Sequence, residues 1–326
     1  MVRNKLVILF FVLILVFNLF SAGFPLQVAK AEERPIGTGF YENFDDDYNQ
    51  QRWSMAGVWT NGEMFNATWY PDQVTFSDGT MRLAIDKEDN KDTNPPYKAG
   101  EIRTNEFYHY GLYEVSMKPA KSEGTVSSFF TYTGPWDWDN DPWDEIDIEF
   151  LGKDTTRIQF NYFTNGVGGN EYYHDLGFDA SESFNTYAFM WKEDSIQWFV
   201  NGEHVYTATE NIPQTPQKIM KNLWPAVGVD DWTGVFDGND TPVYAYYDWV
   251  RYTPLSEVSG QELEPSVSPA EEATETEVGG KNESSDKDDN RLPDTTTSLY
   301  TNLLIGLLIL GTGIVVYFRW RKKVIE

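Results

Sequence analysis

The stretch Trp143-Asp144-Glu145-Ile146-Asp147-Ile148-Glu149-Phe150 alternates acidic and apolar residues. Alternate side chains of a strand share a face, so a period of two reads as β-structure. Glu145, Asp147 and Glu149 then point one way, together with Trp143. Ile146, Ile148 and Phe150 point the other way, into a core. The plain alternative is the polar outer face of an edge strand. Three like charges at spacing two repel, however, and Asp is disfavoured in strands. Thr or Lys would serve a solvent face better, so the pattern points to chemistry.

Working outward, the segment from Arg34 to Pro254 carries few helix signals. Short alternating or aromatic runs dominate: VTFSDGTMRLAI, GLYEVSMKP, TVSSFFTYT, RIQFNYF, NTYAFMW, SIQWFVNGEHVYTAT and AYYDWVRY. Ser77-Asp78-Gly79 and Asn201-Gly202 are tight-turn signals between such runs. Many short strands at this spacing predict an all-β fold of two packed antiparallel sheets, with a β-barrel as the alternative. The density of Trp, Tyr and Phe suits a groove that stacks sugar rings, although most of these side chains serve a core.

Paired carboxylates at this spacing suit glycoside hydrolysis. Glu145 and Glu149 have Cα atoms ~13 Å apart along a strand. Side chains leaning inward can bring the carboxyls to the ~5–6 Å of a retaining pair, against ~6.5–9.5 Å for an inverting one. Asp147 lies between them. Clustered carboxylates cannot all ionise freely, so one is held protonated and serves as the acid. Spacing alone does not say which glutamate that is.

The formal net charge of −26 argues against nucleic acid and anionic membrane surfaces as partners. The chain has no cysteine, so the fold depends on its core. The N-terminus, a basic MVRNK, a long apolar run and a small-x-small site at Ala29-Lys30-Ala31, predicts a signal peptide over 1–31 and export. The folded domain is expected over 32–254. Residues 255–291, rich in Glu, Ser, Thr and Pro, predict an acidic disordered spacer. Residues 292–326 predict surface anchoring: LPDTT, an apolar segment long enough to span a bilayer, and a basic tail. LPDTT resembles the wall-sorting signal of Gram-positive surface proteins, with Thr296 where that pattern has Gly. Attachment to the wall and a retained membrane helix both stay open.

WDEIDIEF, supported by GLYEVSMKPAK, SSFFTYTGP, FNYFTNGVGG, LGFDAS and GVDDW, resembles family 16 of the glycoside hydrolases, and within it the bacterial lichenases. The resemblance spans nearly all of Phe40 to Tyr252. It implies a β-jelly-roll of two curved antiparallel sheets with an open substrate cleft. It implies retaining, endo-acting cleavage of β-1,4 bonds in mixed-linkage β-1,3-1,4-glucan, with no cofactor for catalysis and a monomeric body. It puts the nucleophile on Glu145, the general acid/base on Glu149 and a supporting role on Asp147. The uninterrupted E-x-D-x-E form favours the lichenases over laminarinases, many of which insert a Met before the last Glu.

The same resemblance implies sugar contacts at Asn61, Glu101, Arg103, Phe130, Tyr132, Trp143, Asn161, Asn222, Trp224 and Trp232. Glu101 and Arg103 share a face in EIR, where an exposed ion pair is the alternative. Trp224 and Trp232 read as loop residues. The resemblance further implies a structural Ca2+ held by Asp248, with backbone carbonyls near Pro35 and Gly79. The acidic run Asp45-Asp46-Asp47 is instead expected to face solvent.

Three departures mark this chain. Ala67 and Ala99 stand where familiar lichenases carry a cysteine pair. Phe163 replaces a frequent Tyr in the cleft. The loop from Trp136 to Pro142 is longer and more aromatic, forming either a wall of the cleft or a plain surface loop. Rival functions are a laminarinase-like or galactan hydrolase of the same fold, a non-catalytic glycan-binding surface protein, and a structural wall protein.

Overall fold

The computed structural model describes residues 33–45 and 47–258. The expected signal peptide (1–31), all but the first four residues of the expected spacer (255–291) and the expected anchoring segment (292–326) lie outside the described residues. The chain divides into two units, Met1–Ile36 and Gly37–Glu326. Residues 33–36 of the first carry no helix or strand of their own.

Among the described residues of the second unit there are sixteen strands. They are β1 (Phe40–Glu42), β2 (Trp53–Met55), β3 (Ala67–Trp69), β4 (Val74–Ser77), β5 (Thr80–Lys87) and β6 (Tyr97–Thr104). Then follow β7 (Gly111–Lys118), β8 (Thr125–Thr133), β9 (Asp144–Leu151), β10 (Arg157–Phe163), β11 (Tyr172–Asp175) and β12 (Asn185–Trp191). The last are β13 (Ile196–Val200), β14 (Glu203–Ala208), β15 (Lys218–Pro225) and β16 (Val243–Pro254). The two tight turns form where Asp-Gly and Asn-Gly predict them. Ser77 pairs with Thr80 and Val200 with Glu203, and the two residues between each pair have positive φ.

One sheet runs β11-β10-β9-β8-β15-β6, and the other runs β5-β16-β7-β12-β13-β14. β6 belongs to both: Tyr97–Ala99 pairs with β5, whereas Gly100–Arg103 pairs with β15. Gly100 sits at this crossover because a Cβ there would lie 2.5 Å from the Gln73 carbonyl oxygen. The pairings are antiparallel except β3 on β6, which is parallel. The two buried alanines at the expected cysteine positions fall on this pair, Ala67 on β3 and Ala99 on β6.

The core fills the space between the sheets. Ile146, Ile148 and Phe150 of β9 are fully buried there, as their alternation requires. Aromatic contacts join the layers: Phe150 to Tyr187 at 4.9 Å, Phe160 to Trp198 at 5.5 Å and Phe129 to Phe189 at 6.1 Å. Burying each such ring contributes roughly 1.5–3 kcal/mol. Side chains of the opposite sheet hydrogen-bond the backbones of the cleft strands. Trp198 Nε1 donates to the Asp147 carbonyl at 3.2 Å, and the Tyr247 hydroxyl to the Ser128 carbonyl at 2.9 Å. The body runs slightly past Pro254: Val258 packs on the small apolar cluster of Leu112, Ala188 and Phe199.

A bulge interrupts β16 between Tyr247 and Trp249. Tyr247 and Val250 both point into the core, so Asp248 is the extra residue.

Candidate active site

Register places the site. On β9, Glu145 pairs with Phe163 of β10 and Tyr132 of β8; Asp147 with Asn161 and Phe130; Glu149 with Gln159 and Ser128. β15 continues the rows: Lys218 beside Tyr132, Met220 beside Phe130 and Asn222 beside Ser128. β6 adds Arg103 beside Met220 and Glu101 beside Asn222. Directly paired residues of antiparallel strands share a face. The three carboxylates therefore share one floor with Glu101, Arg103, Phe130, Tyr132, Asn161, Phe163 and Asn222.

The two terminal glutamates have different partners. Glu145 accepts from Trp143 Nε1 at 2.6 Å and from Asp147. Burial and the charge of Glu101 still push its carboxyl up, to about 7. Glu149 accepts from Gln159 Nε2 at 2.8 Å, and Gln159 Oε1 in turn accepts from Trp232 Nε1 at 2.8 Å. Burial, then the charges of Glu145 and Glu171, push Glu149 up to about 8. Asp147 is raised well above the usual carboxylate range, by burial and by the two glutamates flanking it. It is therefore the proton donor in its hydrogen bond to Glu145.

Around this centre, Phe163 stacks on Trp143 with ring centroids 4.8 Å apart, so the ring persists without the tyrosine hydroxyl. Glu101 is buried and accepts from Asn222 Nδ2 at 3.3 Å; burial lifts its carboxyl to about 7. Arg103 pairs with Asp137 of the 136–142 loop at 3.6 Å, and its guanidinium lies 5.3 Å from the Trp59 ring centre. The exposed Glu101–Arg103 pair considered from the sequence is thus replaced by two separate partnerships. Asn61 is exposed and accepts from Trp69 Nε1 at 2.9 Å.

One expectation needs correcting. Trp224 is not in a loop: it lies in β15, only 3% exposed, with Phe65 tilted against it at 4.2 Å. Pairing with Val126 of β8 and burial of both account for this. Trp232 does lie outside the sheets, in the helical turn Asp230–Thr233, with its ring 6.0 Å from Trp224. Sequence reading passed over Gln159, Ser128, Lys218 and Asp137. Gln159 was within reach, because it alternates with Asn161 and Phe163 in RIQFNYF.

Pro35 belongs to the first unit, and Gly79 and Asp248 to the second. Asp248 accepts from Ser116 Oγ at 3.2 Å; burial and the charge of Asp45 raise its carboxyl. Gly79, in its turn, donates to the Asp45 carbonyl at 3.0 Å. The Asp248 carboxylate is the kind of hard oxygen donor that Ca2+ takes, with Asp45 as a second negative charge acting on it. Among the described residues no group of three or more His, Cys, Asp or Glu side chains is placed to hold a metal, so further ligands there would be carbonyls or water.

The model for glycosyl hydrolases family 16 matches residues 61–251. A β-glucanase of Brevibacillus brevis is 75% identical over 256 residues, covering 78% of this chain and 97% of its own length. The solved structure of a Bacillus licheniformis β-glucanase matches with a TM-score of 0.63 at 55% identity, over 67% of this chain and 98% of that one. A prokaryotic β-1,3-1,4-glucanase (lichenase) derived from a mouse hindgut metagenome matches at 0.64 and 52%, over 67% and 100%. With a model match over more than half its length and relatives this similar, the chain belongs to glycosyl hydrolase family 16.

Proposed function

We propose that this protein is an endo-β-1,3-1,4-glucanase that cleaves β-1,4 bonds of mixed-linkage β-glucan with retention of configuration. The observation that carries the reading is the unequal pair on one strand. Both are raised by burial, but Glu145 accepts from two donors that favour its anion, Trp143 and Asp147, while Glu149 accepts from Gln159 and bears the charges of Glu145 and Glu171. The relatives described as β-glucanase or lichenase support the substrate class.

Near neutral pH, Glu149 carries the proton and donates it to the glycosidic oxygen as that bond breaks. The Glu145 carboxylate attacks the anomeric carbon, and a glycosyl ester forms. Esterification removes the Glu145 charge, one of the causes that hold Glu149 up. Having given its proton to the departing oxygen, Glu149 now has a lower pKa and stays a carboxylate, placed to take a proton from water. That water attacks the anomeric carbon, the Glu145 carboxylate leaves, and the second inversion there restores the original configuration. Gln159, held by Trp232, orients Glu149. No step requires a metal or an organic cofactor.

The finer assignments belong to the same reading. Asn61, Glu101, Arg103, Asn161, Asn222, Phe130, Tyr132 and Trp143 hold sugar along the floor, with Trp224 and Trp232 at the Glu149 end. Ca2+ at Asp248 and the Gly79 carbonyl stabilises the β16 bulge, remote from the reaction. The termini support export, then retention at the cell surface by the segment 292–326, with the body acting as a monomer.

The test incubates the protein with barley mixed-linkage β-glucan, laminarin and carboxymethylcellulose, and follows new reducing ends beside Glu145→Gln. Cleavage of barley glucan, lost in the variant, is the expected result. Turnover of laminarin at an equal rate would overturn the substrate assignment, and folded protein inactive on all three would overturn the activity.

A further inference from the structure

Of the tryptophans among the described residues, three are exposed: Trp136 at 96%, Trp143 at 41% and Trp59 at 38%. Trp143 and the loop of Trp136 stand at the Glu145 end of the cleft, and Trp59 is by Arg103 in the row of Asp147. Trp143 donates to Glu145, and Trp59 lies beneath the Arg103 guanidinium. Trp136 precedes Asp137, whose carboxylate reaches that same Arg103.

The loop carrying Trp136 is tightly held. The Asp137 amide donates to the Gly134 carbonyl at 2.9 Å, and the Asp141 amide to the Trp138 carbonyl at 2.7 Å. Thr133 Oγ1 donates to Asp141 Oδ2 at 2.7 Å, and Trp138 meets Phe107 edge-on at 6.0 Å. The Asp137 side chain, only 8% exposed, sits between Arg103 at 3.6 Å and Lys218 at 3.8 Å. A single exposed apolar side chain is ordinary on a protein surface. A bare indole on a loop fixed by a nearly buried carboxylate that also holds Arg103 of the cleft floor is a prepared surface. It is also costly to order unless something rests on it.

The chemistry gives this end of the cleft a direction. Glu149 protonates the departing oxygen, so the leaving sugar lies toward Glu149. Glu145 attacks the anomeric carbon, so the attacked sugar and those joined to its non-reducing side lie toward Glu145. Lys218 and Tyr132 share the row of Glu145, and Asp137 reaches that row through Lys218.

We propose that Trp136 is a stacking platform for a glucosyl unit on the non-reducing side of the cut, with Asp137 as its positioning residue. The site takes a neutral β-glucan chain: the indole covers the apolar face of one pyranose ring, and its hydroxyls stay in water. This rests on the hydrolase reading above. Contact with a sugar other than the two joined by the cleaved bond holds ground state and transition state alike, so it lowers KM and leaves kcat unchanged.

The test uses the full-length protein and compares wild type, Trp136→Ala, Trp136→Phe and Asp137→Asn. The substrates are barley mixed-linkage glucan and a short aryl gluco-oligosaccharide too small to reach the loop. Trp136→Ala should raise KM for the polymer about 3- to 10-fold, the range of one aromatic stacking contact. Its kcat, and its KM for the short substrate, should stay at the wild-type values. Trp136→Phe should recover most of the loss, and Asp137→Asn should raise the polymer KM in the same direction. An unchanged polymer KM in Trp136→Ala, with wild type active, would overturn the proposal and leave the hydrolase reading standing. So would an equal loss on both substrates. A wild type that cleaves no glucan would remove both.

Discussion

Two sets of carboxylates in this chain live in opposite surroundings. On the cleft floor, Glu101, Glu145, Asp147 and Glu149 lie close together, largely out of water, and all four are raised above their ordinary values. Outside the cleft, Asp179 accepts from Lys121, Thr155 and Ser181, and these donors hold its carboxyl far below the usual range. Glu114 likewise takes a two-pronged Arg251, at 2.5 and 2.7 Å. The second set binds cations and hydroxyls and supports the fold. The first set holds protons where paired anions would repel, which is what proton transfer and nucleophilic attack require. The same residue type does either job, and the partners decide which.

Removing the acid should have the largest effect. Glu149→Gln should lower turnover of β-glucan by about 10²- to 10⁴-fold. It should cost far less on an aryl glycoside whose leaving group needs no proton, as steady-state rates on both substrates would reveal. An equal loss on both would deny Glu149 the acid role.

Asp147 sharpens the comparison, because its proton is the point at issue. Asp147→Ala removes the donor to Glu145 and should lower kcat about 10- to 100-fold, the value of a hydrogen bond to a charged group. Asp147→Asn keeps a donor and should stay within about 10-fold of wild type. If the two variants fall equally, Asp147 works as an anion and the assignment here is wrong.

Stability should move in opposite directions at the two sites. Asp179→Ala should destabilise by about 1–2 kcal/mol at pH 7 through lost charged hydrogen bonds, with kcat/KM unchanged; denaturant unfolding reads this. Because the Asp179 pKa is lowered on folding, its contribution is present above about pH 4 and fades as pH falls. The cleft glutamates behave inversely. Between about pH 4.5 and 8 the folded state holds protons that the unfolded state has released, so their effect on stability declines as pH rises through that window. Glu149→Gln should flatten this decline by on the order of 1 kcal/mol, allowing for solvent in the open cleft. A steeper decline in the variant would contradict the raised value.

How much of this was legible in the sequence depends on the range of the interactions concerned. The alternation in WDEIDIEF specifies β9, its buried side and its carboxylate face. Asp78-Gly79 and Asn201-Gly202 specify two hairpins, because their positive φ angles are local. KIMKNLWP is harder. Lys221 is fully buried, its ammonium 3.5 Å from the centre of the Trp53 ring, so β15 lacks a clean polar face and Trp224 resembles a loop residue. The rank of Glu149 above Glu145 is likewise invisible locally. It arises from Trp143 and Asp147 on one side, and from Gln159 and Glu171 on the other. The hold of Asp137 on Arg103 and Lys218 joins a loop to two strands distant in sequence, and no local pattern announces it.

The central claim is that Glu145 must be ionised and Glu149 protonated in the free enzyme. It is tested most directly by kcat/KM against pH on β-glucan, for wild type and Glu149→Gln. Activity should rise with pH through about 7 as Glu145 ionises and fall through about 8 as Glu149 loses its proton. The residual activity of Glu149→Gln should keep the acid limb and lose the alkaline one. An alkaline limb that survives in Glu149→Gln would contradict the account, because the proton lost there would belong to another group.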